Sequence, residues 1–261
     1  MGDVSFFFAG GGTGGHIYPG LAVAEQIAAQ RSDAHIHFLC STRPIDKRIL
    51  DTTIFPYTTL LATGLYFDPK RLLRFGSTFR HSYRQARAII SGTPNAAVIG
   101  AGGFVAAPVC LAGRRLGVPV AVVNIDIVAG RANRLSARWA DEIFLQFEEA
   151  SRQFGQRRVP VTVVGCPLRR GFADPQPRRA VADIGLEKDK KVLLITGASS
   201  GSAHINEAVG MLLGRLERFA DTWQIVHLTG LDNHEAVAAR YEDARISHQV
   251  LDYYDGMADL L

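Results

Sequence analysis

The 261 residues, 47% apolar and 21% charged, suffice for two Rossmann-sized domains and exclude extensive disorder, and a net charge of +4 does not by itself imply nucleic acid. Cys40, Cys110 and Cys166 lie far apart with no C-x-x-C pair, which argues against a disulfide framework or zinc site and fits a reducing cytoplasm. The N-terminus reads as lacking a basic leader and no apolar run approaches the ~18 residues that cross a bilayer, so membrane contact is expected to be peripheral.

Val4–Ala9 is predicted as a buried strand, and it runs into Gly10-Gly11-Gly12-Thr13-Gly14-Gly15, five glycines in six residues, followed by His16. A helix is expected to start near Pro19 and to continue over Leu21–Gln30. Glycines let backbone N–H groups approach an oxyanion, and a helix N-terminus adds positive potential, so a phosphate, a diphosphate or a developing alkoxide is the expected guest. Gly10, Gly12 and Gly15 also satisfy G-x-G-x-x-G, which keeps an NADP-binding oxidoreductase in play. The next strand, His35–Cys40, ends in Cys40-Ser41-Thr42-Arg43, with no acid to hold a ribose, although Arg43 suits a 2′-phosphate.

The segment Leu65–Ile90 carries Lys70, Arg71, Arg74, Arg80, Arg84 and Arg87 against Asp68 alone, a net +5 that exceeds the charge of the whole chain. Leu72, Phe75, Phe79, Tyr83, Ala86 and Ile90 fall on one helical stripe, with the part from Phe79 onward expected in the core. Leu72, Leu73 and Phe75 beside Arg71 and Arg74, together with Leu65–Phe67, suit an anionic membrane surface.

Strand Ala96–Gly100 leads into a second glycine loop, Gly100-Ala101-Gly102-Gly103, then a helix over Phe104–Leu116, strand Val118–Ile125 and a helix over Ala129–Trp139. Apolar strands alternating with helices signal an α/β fold with a parallel sheet covered on both faces. The stretch 166–180, with Gly165-Cys166-Pro167 at its start and Asp174-Pro175-Gln176-Pro177 within it, reads as a linker between a domain of 1–165 and a second of 181–261. There the pattern restarts: strand Val192–Thr196, a third glycine loop Gly197-Ala198-Ser199-Ser200-Gly201, helix Ile205–Phe219, strand Gln224–Leu228, helix His234–Asp243, strand Gln249–Asp252 and a helix opening within Asp255–Leu261. All three loops follow parallel strands, where open α/β sheets bind ligands, and their split over two domains suggests a cleft. No D-x-D metal motif occurs, so no metal site is expected. His81, His204, His227, His234 and His248 lack ligand spacing and read as surface or core residues.

Gly11-Gly12-Thr13-Gly14-Gly15-His16-Ile17-Tyr18-Pro19-Gly20 is very similar to the N-terminal motif of glycosyltransferase family 28. Gly100–Phe104, Ala129-Gly130 with Asn133, Gly165–Arg169, Gly197–Gly201 and Asp255–Ala258 resemble its later motifs in order along the chain. The resemblance implies two Rossmann-like domains of GT-B type and an inverting transferase. Such an enzyme takes UDP-GlcNAc as substrate without a cofactor and acts on a lipid-linked acceptor, lipid I, at the cytoplasmic face of the membrane. Acceptor contacts are then expected from Gly12, Thr13, Gly14, Gly15, Gly102, Gly103, Phe104 and Asn133, and donor contacts from Arg169, Gly197, Ser199, Ser200 and Gly201. His16 is the candidate base. Asp126 is a second candidate, as the base itself, as the group orienting His16, or as a helix cap.

Three departures from the family pattern stand out. Val123-Asn124-Ile125-Asp126 stands for His-Glu-Gln-Asn, Cys166 for Asn, and Ser200 for Gln. The family's ribose-binding segment finds no match before Leu261, so the second domain reads as incomplete. Another lipid acceptor, such as diacylglycerol, and a non-catalytic binding module stand as alternatives.

Overall fold

The computed structural model describes residues 3–64, 68–154 and 159–261, with the backbone alone at Pro69, Arg71 and Leu72. The chain forms two compact units, residues 1–170 and 171–261.

The first unit runs β1 (Val4–Ala9), α1 (Gly14–Gln30), β2 (Ala34–Ser41), α2 (Pro44–Asp51), β3 (Tyr57–Leu60), α3 (Pro69–Ser91), β4 (Ala96–Gly100), α4 (Ala106–Leu116), β5 (Val120–Asn124), α5 (Arg131–Ser136), β6 (Glu142–Leu145) and β7 (Val161–Val163). Its sheet has the order β3-β2-β1-β4-β5-β6-β7, and every pairing is parallel. The four strands legible in the sequence form its centre. β3, β6 and β7 are additions of three or four residues, too short for a run of apolar side chains to announce them. Phe8 of β1 stacks on Phe38 of β2 at 5.1 Å, and both are buried. On the other face Phe7, Leu39, Val98 and Val122 pack with Ala86 and Ile90 of α3 and Val109 and Ala112 of α4. In α3, Ser82, Ala86 and Ile90 are buried, while Phe79 is only partly so and leans on Phe75 at 5.7 Å.

The second unit runs α6 (Pro177–Ile184), β8 (Lys191–Thr196), α7 (Ala203–Leu216), β9 (Trp223–Leu228), α8 (His234–Ala238), β10 (His248–Leu251) and α9 (Met257–Leu260). β9 lies between β10 and β8, with both pairings parallel. Its Ile225 packs with Val209 and Leu213 of α7 and with Tyr241, while Val226 and Leu228 face Leu186 on the opposite side. The Pro-rich stretch is not all linker: Pro177 occupies the first turn of α6, where its missing N–H costs no helical bond.

Candidate functional site

The first and second glycine loops meet where the strand order reverses. β1 pairs with β2 on one side and β4 on the other, so the loops leaving β1 and β4 share the carboxyl edge at the switch point. Ala101 N–H donates to Ala9 O at 2.8 Å, and Gly10 N–H to Leu39 O at 3.2 Å. α1 starts at Gly14, more than a turn before the position expected from Pro19, which lies inside the helix. His16 therefore belongs to the first helical turn rather than to the loop.

The loop is held by a residue the motifs did not single out. Asp46, in the first turn of α2, is fully buried and accepts from Gly12 N–H at 2.9 Å on each carboxylate oxygen. Its Oδ2 also accepts from Ser41 N–H at 2.9 Å and Ser41 O–H at 2.5 Å. Arg43 donates from Nη1 to Gly12 O at 2.9 Å, so it clamps the loop from the same segment. Gly12 cannot offer its N–H to a ligand while Asp46 holds it. A Cβ on Gly11 would overlap Asp46 Oδ2, which accounts for that glycine on space alone. Cys40 is buried beside this carboxylate; burial, with the charge of Asp46, pushes its thiol up to about 12 and leaves it unreactive.

His16 Nδ1 lies 3.1 Å from Gly11 O and 3.4 Å from Thr13 Oγ1. A carbonyl oxygen only accepts, so Nδ1 carries the proton and Nε2 of the neutral ring carries the lone pair. Nε2 borders Gly102: a Cβ there would stand 3.2 Å from Nε2, 2.6 Å from Cδ2 and 3.3 Å from Asn133 Oδ1. Gly103, at φ +76°, presses on Gly11 O so closely that any side chain would overlap it. Gly102, Gly103, Asn133 and His16 thus lie together at the carboxyl edge of the first sheet.

Asn133 is buried, and its Nδ2 donates to Asn124 Oδ1 at 2.9 Å. Its Oδ1 has no hydrogen-bond partner among the described residues, and a Cβ on Gly102 would stand 3.3 Å from it. A buried acceptor without a donor is costly, which sets this atom apart from the satisfied polar groups around it. Asp126 lies beyond β5 with its side chain at the surface, and its carbonyl accepts from Asn124 Nδ2 at 2.7 Å. It does not cap α5, whose preceding residue is Gly130. Next to the second loop, Phe104, Phe75, Ala107, Leu135 and Arg131 line a largely apolar cavity of about 200 Å³.

On α3, Leu73 and Arg74 are exposed and Phe75 is partly buried. The side chains of Arg71 and Leu72, and all of Leu65–Phe67, lie outside the described residues. No helix among the described residues is long and apolar enough to cross a membrane, and no cluster of three His, Cys, Asp or Glu in metal-holding arrangement occurs among them.

Arg169 belongs to the first unit, where its guanidinium stacks on the Tyr18 ring at 4.3 Å. The other donor candidates form the turn between β8 and α7 in the second unit. Ala198, at φ +59°, and Gly201, at φ +70°, fold it back, so that Gly201 N–H donates to Ala198 O at 3.2 Å. Gly201 lies against the Thr229 carbonyl with no room for a Cβ. Ser199 is partly buried and Ser200 exposed, and the turn opens onto the N-terminus of the 14-residue α7. Behind it is a buried network that spacing alone did not reveal. His227 Nδ1 meets Tyr241 OH at 3.0 Å and Nε2 meets Asn206 Oδ1 at 3.1 Å, while Asn206 Nδ2 donates to Thr229 O at 3.0 Å. Asn206 Oδ1 accepts, so His227 carries its proton on Nε2 and receives the Tyr241 hydroxyl at Nδ1. Burial holds this histidine below the ordinary range and pushes the Tyr241 hydroxyl up to about 12.

Comparison with known proteins places this arrangement. The glycosyltransferase family 28 N-terminal domain matches residues 6–145. A relative from Geobacter metallireducens, named UDP-N-acetylglucosamine--N-acetylmuramyl-(pentapeptide) pyrophosphoryl-undecaprenol N-acetylglucosamine transferase, is 31% identical over 257 residues, which cover 96% of this chain and 68% of that one. A relative of the same name from Pelobacter propionicus is 33% identical, over 98% of this chain and 71% of its own. Among solved structures, MurG from Acinetobacter baumannii aligns over 98% of this chain and 69% of its own, with a TM-score of 0.58 and 24% identity. UDP-GlcNAc 2-epimerase from Neisseria meningitidis aligns over 98% and 75%, with a TM-score of 0.68 and 12% identity, a likeness of fold alone. With the family domain matched over more than half its length, and relatives above 30% identity of which it covers two thirds or more, the chain belongs to glycosyltransferase family 28.

Proposed function

We propose that this chain carries the acceptor and diphosphate machinery of an inverting transferase that moves N-acetylglucosamine from UDP-GlcNAc to the muramoyl sugar of a lipid-diphosphate-linked pentapeptide. The observation that carries the reading is the unprotonated His16 Nε2 beside the unpartnered Asn133 Oδ1 at the switch point of the first sheet. The names of the relatives supply the substrates.

In this reading Asn133 Oδ1 accepts from a hydroxyl or amide of the acceptor sugar and orients it. The attacking hydroxyl forms the new bond to the anomeric carbon and gives its proton to His16 Nε2, while the carbon–oxygen bond to the diphosphate breaks and its electron pair leaves with UDP. The 197–201 turn and the N-terminus of α7 receive diphosphate charge in the second unit, and Arg169 is the further cation assigned to it. The apolar cavity beside Phe104 fits the start of a lipid chain, and the exposed Leu73 and Arg74 fit a peripheral contact with anionic membrane.

His16→Ala in the active enzyme is expected to lower turnover by roughly 10²–10⁴-fold with UDP-GlcNAc affinity little changed, as loss of a general base does. Turnover within a few-fold of the parent protein would move the base to Asp126. For the membrane contact, binding to vesicles containing anionic lipid should fall as salt rises and fall again in Arg74→Glu, by about 1 kcal/mol for each cationic charge removed from the surface. Equal binding to neutral and anionic vesicles would remove the basic face from the reading.

A further inference from the structure

Asp46 and His16 lie on opposite sides of a single peptide group. The Gly12 N–H donates to the Asp46 carboxylate, and the carbonyl of that same peptide, Gly11 O, accepts from His16 Nδ1–H. A trans peptide is planar with its C=O and N–H pointing in opposite directions, so the three groups form one chain: carboxylate, amide, imidazole. We infer that Asp46 is a positioning residue for His16, acting through the Gly11–Gly12 peptide. It fixes the Nδ1–H tautomer and thereby leaves Nε2 as the proton acceptor. This rests on the reading of His16 as the group that takes the acceptor proton.

First, the peptide has no freedom to turn away. Asp46 holds its N–H with both oxygens, Gly103 presses on its carbonyl, and Ser41 fixes the carboxylate through N–H and O–H. Second, an amide whose N–H is bonded to a carboxylate has a more strongly polarised carbonyl, because hydrogen bonds in a chain reinforce one another. Its hold on Nδ1–H is stronger than that of an isolated peptide. Third, when Nε2 takes a proton the imidazolium faces an aligned amide dipole with a negative carboxylate behind it. That is the arrangement in which a carboxylate bonded directly to imidazole sets its tautomer, here with one peptide inserted. The alternative partner, Thr13 Oγ1 at 3.4 Å, is longer and can both donate and accept, so it does not dictate a tautomer.

The test is the protonation pattern of the His16 ring in the ¹⁵N-histidine-labelled protein, read from two-bond proton–nitrogen correlations. The parent protein is expected to show neutral His16 as the Nδ1–H tautomer, and Asp46→Asn, with the protein folded and the Gly11–Gly12 peptide no longer held by a charged acceptor, to shift population measurably toward Nε2–H. A parent protein already in the Nε2–H form, or a folded Asp46→Asn with an unchanged Nδ1–H population, overturns the inference. If Asn at 46 prevents folding, Ser41→Ala serves instead. It strips a competing donor from Asp46 Oδ2, so the Gly12 amide proton should move downfield with the Nδ1–H tautomer kept. A Gly12 amide that does not respond means the carboxylate does not govern that peptide, which again overturns it. The two readings fail separately. A tautomer that follows Asp46 while His16→Ala leaves transfer intact keeps the relay and removes the base assignment. A transfer that needs His16 while the tautomer ignores Asp46 does the reverse.

Discussion

The two units present the same device, a glycine turn between a parallel strand and a helix, and hold it by opposite chemistry. In the first, the loop after β1 is tied to a buried carboxylate, Asp46, through donors on Gly12 and Ser41. In the second, the turn after β8 rests on Thr229 and a neutral network of Asn206, His227 and Tyr241. The two histidines differ in the same sense: His16 holds its proton on Nδ1 with Nε2 toward Gly102, whereas both nitrogens of His227 are engaged within the core. One histidine borders the second glycine loop, and the other is closed within the core of its unit. A glycine motif announces a turn near a ligand; the residues behind the turn decide what it can do.

The largest expected effect lies in removing each support. Asp46→Ala leaves the Gly12 and Ser41 donors buried without a partner and should cost on the order of 3–5 kcal/mol, since bonds to a charged group are the stronger kind. Asn206→Ala leaves Thr229 O and His227 Nε2 unpartnered, both neutral, and should cost about 2–3 kcal/mol. Trp139 belongs to the first unit and Trp223 to the second, so denaturant unfolding followed by fluorescence in Trp223→Phe and Trp139→Phe backgrounds reads each unit alone. Equal losses would show that the charge of the first support contributes nothing to the difference.

A smaller effect is expected with pH. Burial lowers the His227 pKa in the folded protein, so below the ordinary histidine range the unfolded chain binds a proton that the folded unit refuses. The stability contributed by the neutral form is fully present above that range and is lost as pH falls through it. Trp223 fluorescence should therefore report a second unit that weakens from about pH 7 downward. His227→Gln should be less stable at neutral pH and flatter in its pH dependence. His37, bonded to Thr58 at 2.9 Å, is also lowered by burial but is only partly buried, so the first unit should weaken less over the same interval. A pH slope that survives in His227→Gln would assign it to another group.

The sequence makes the strand–glycine–helix repeats legible because they are local: apolar runs of five or six residues, each ending in glycine, need no partner to be recognised. It conceals what holds them. Asp46 reads as an ordinary acid in the first turn of a helix, a position favoured by the helix dipole. Only the fold brings it to Gly12, 34 residues away, and buries it. A clue is present in Pro44-Ile45-Asp46 shortly after β2, an acid close to the carboxyl edge of the sheet. His227 sits within the unbroken buried run Gln224–Leu228, where a polar side chain signals a partner across the core, but no spacing rule names Asn206 or Tyr241. Asn133 was found by resemblance, and its unpartnered oxygen is a fact of packing alone.

The finest distinction concerns the residue before each helix. Thr13 precedes α1 and Ser202 precedes α7, and both have the extended backbone of a helix cap. Ser202 Oγ accepts from Ile205 N–H at 3.4 Å, so its hydroxyl serves its own helix. Thr13 makes no such bond, and its hydroxyl lies 3.4 Å from His16 Nδ1. Ser202→Ala should therefore cost about 0.5–1 kcal/mol, the lower part of the range for a lost cap, because the bond is long. Thr13→Ala removes no capping bond and should cost less than about 0.5 kcal/mol, the ordinary scatter of a neutral substitution. The difference should invert in the active enzyme. Removing Thr13 takes away the second contact of Nδ1 and should slow transfer a few-fold with the tautomer kept, since Gly11 O still holds the proton. Loss of stability in Thr13→Ala as large as in Ser202→Ala would mean that Thr13 caps α1 after all, and the contrast between the two loops would then end at their supports.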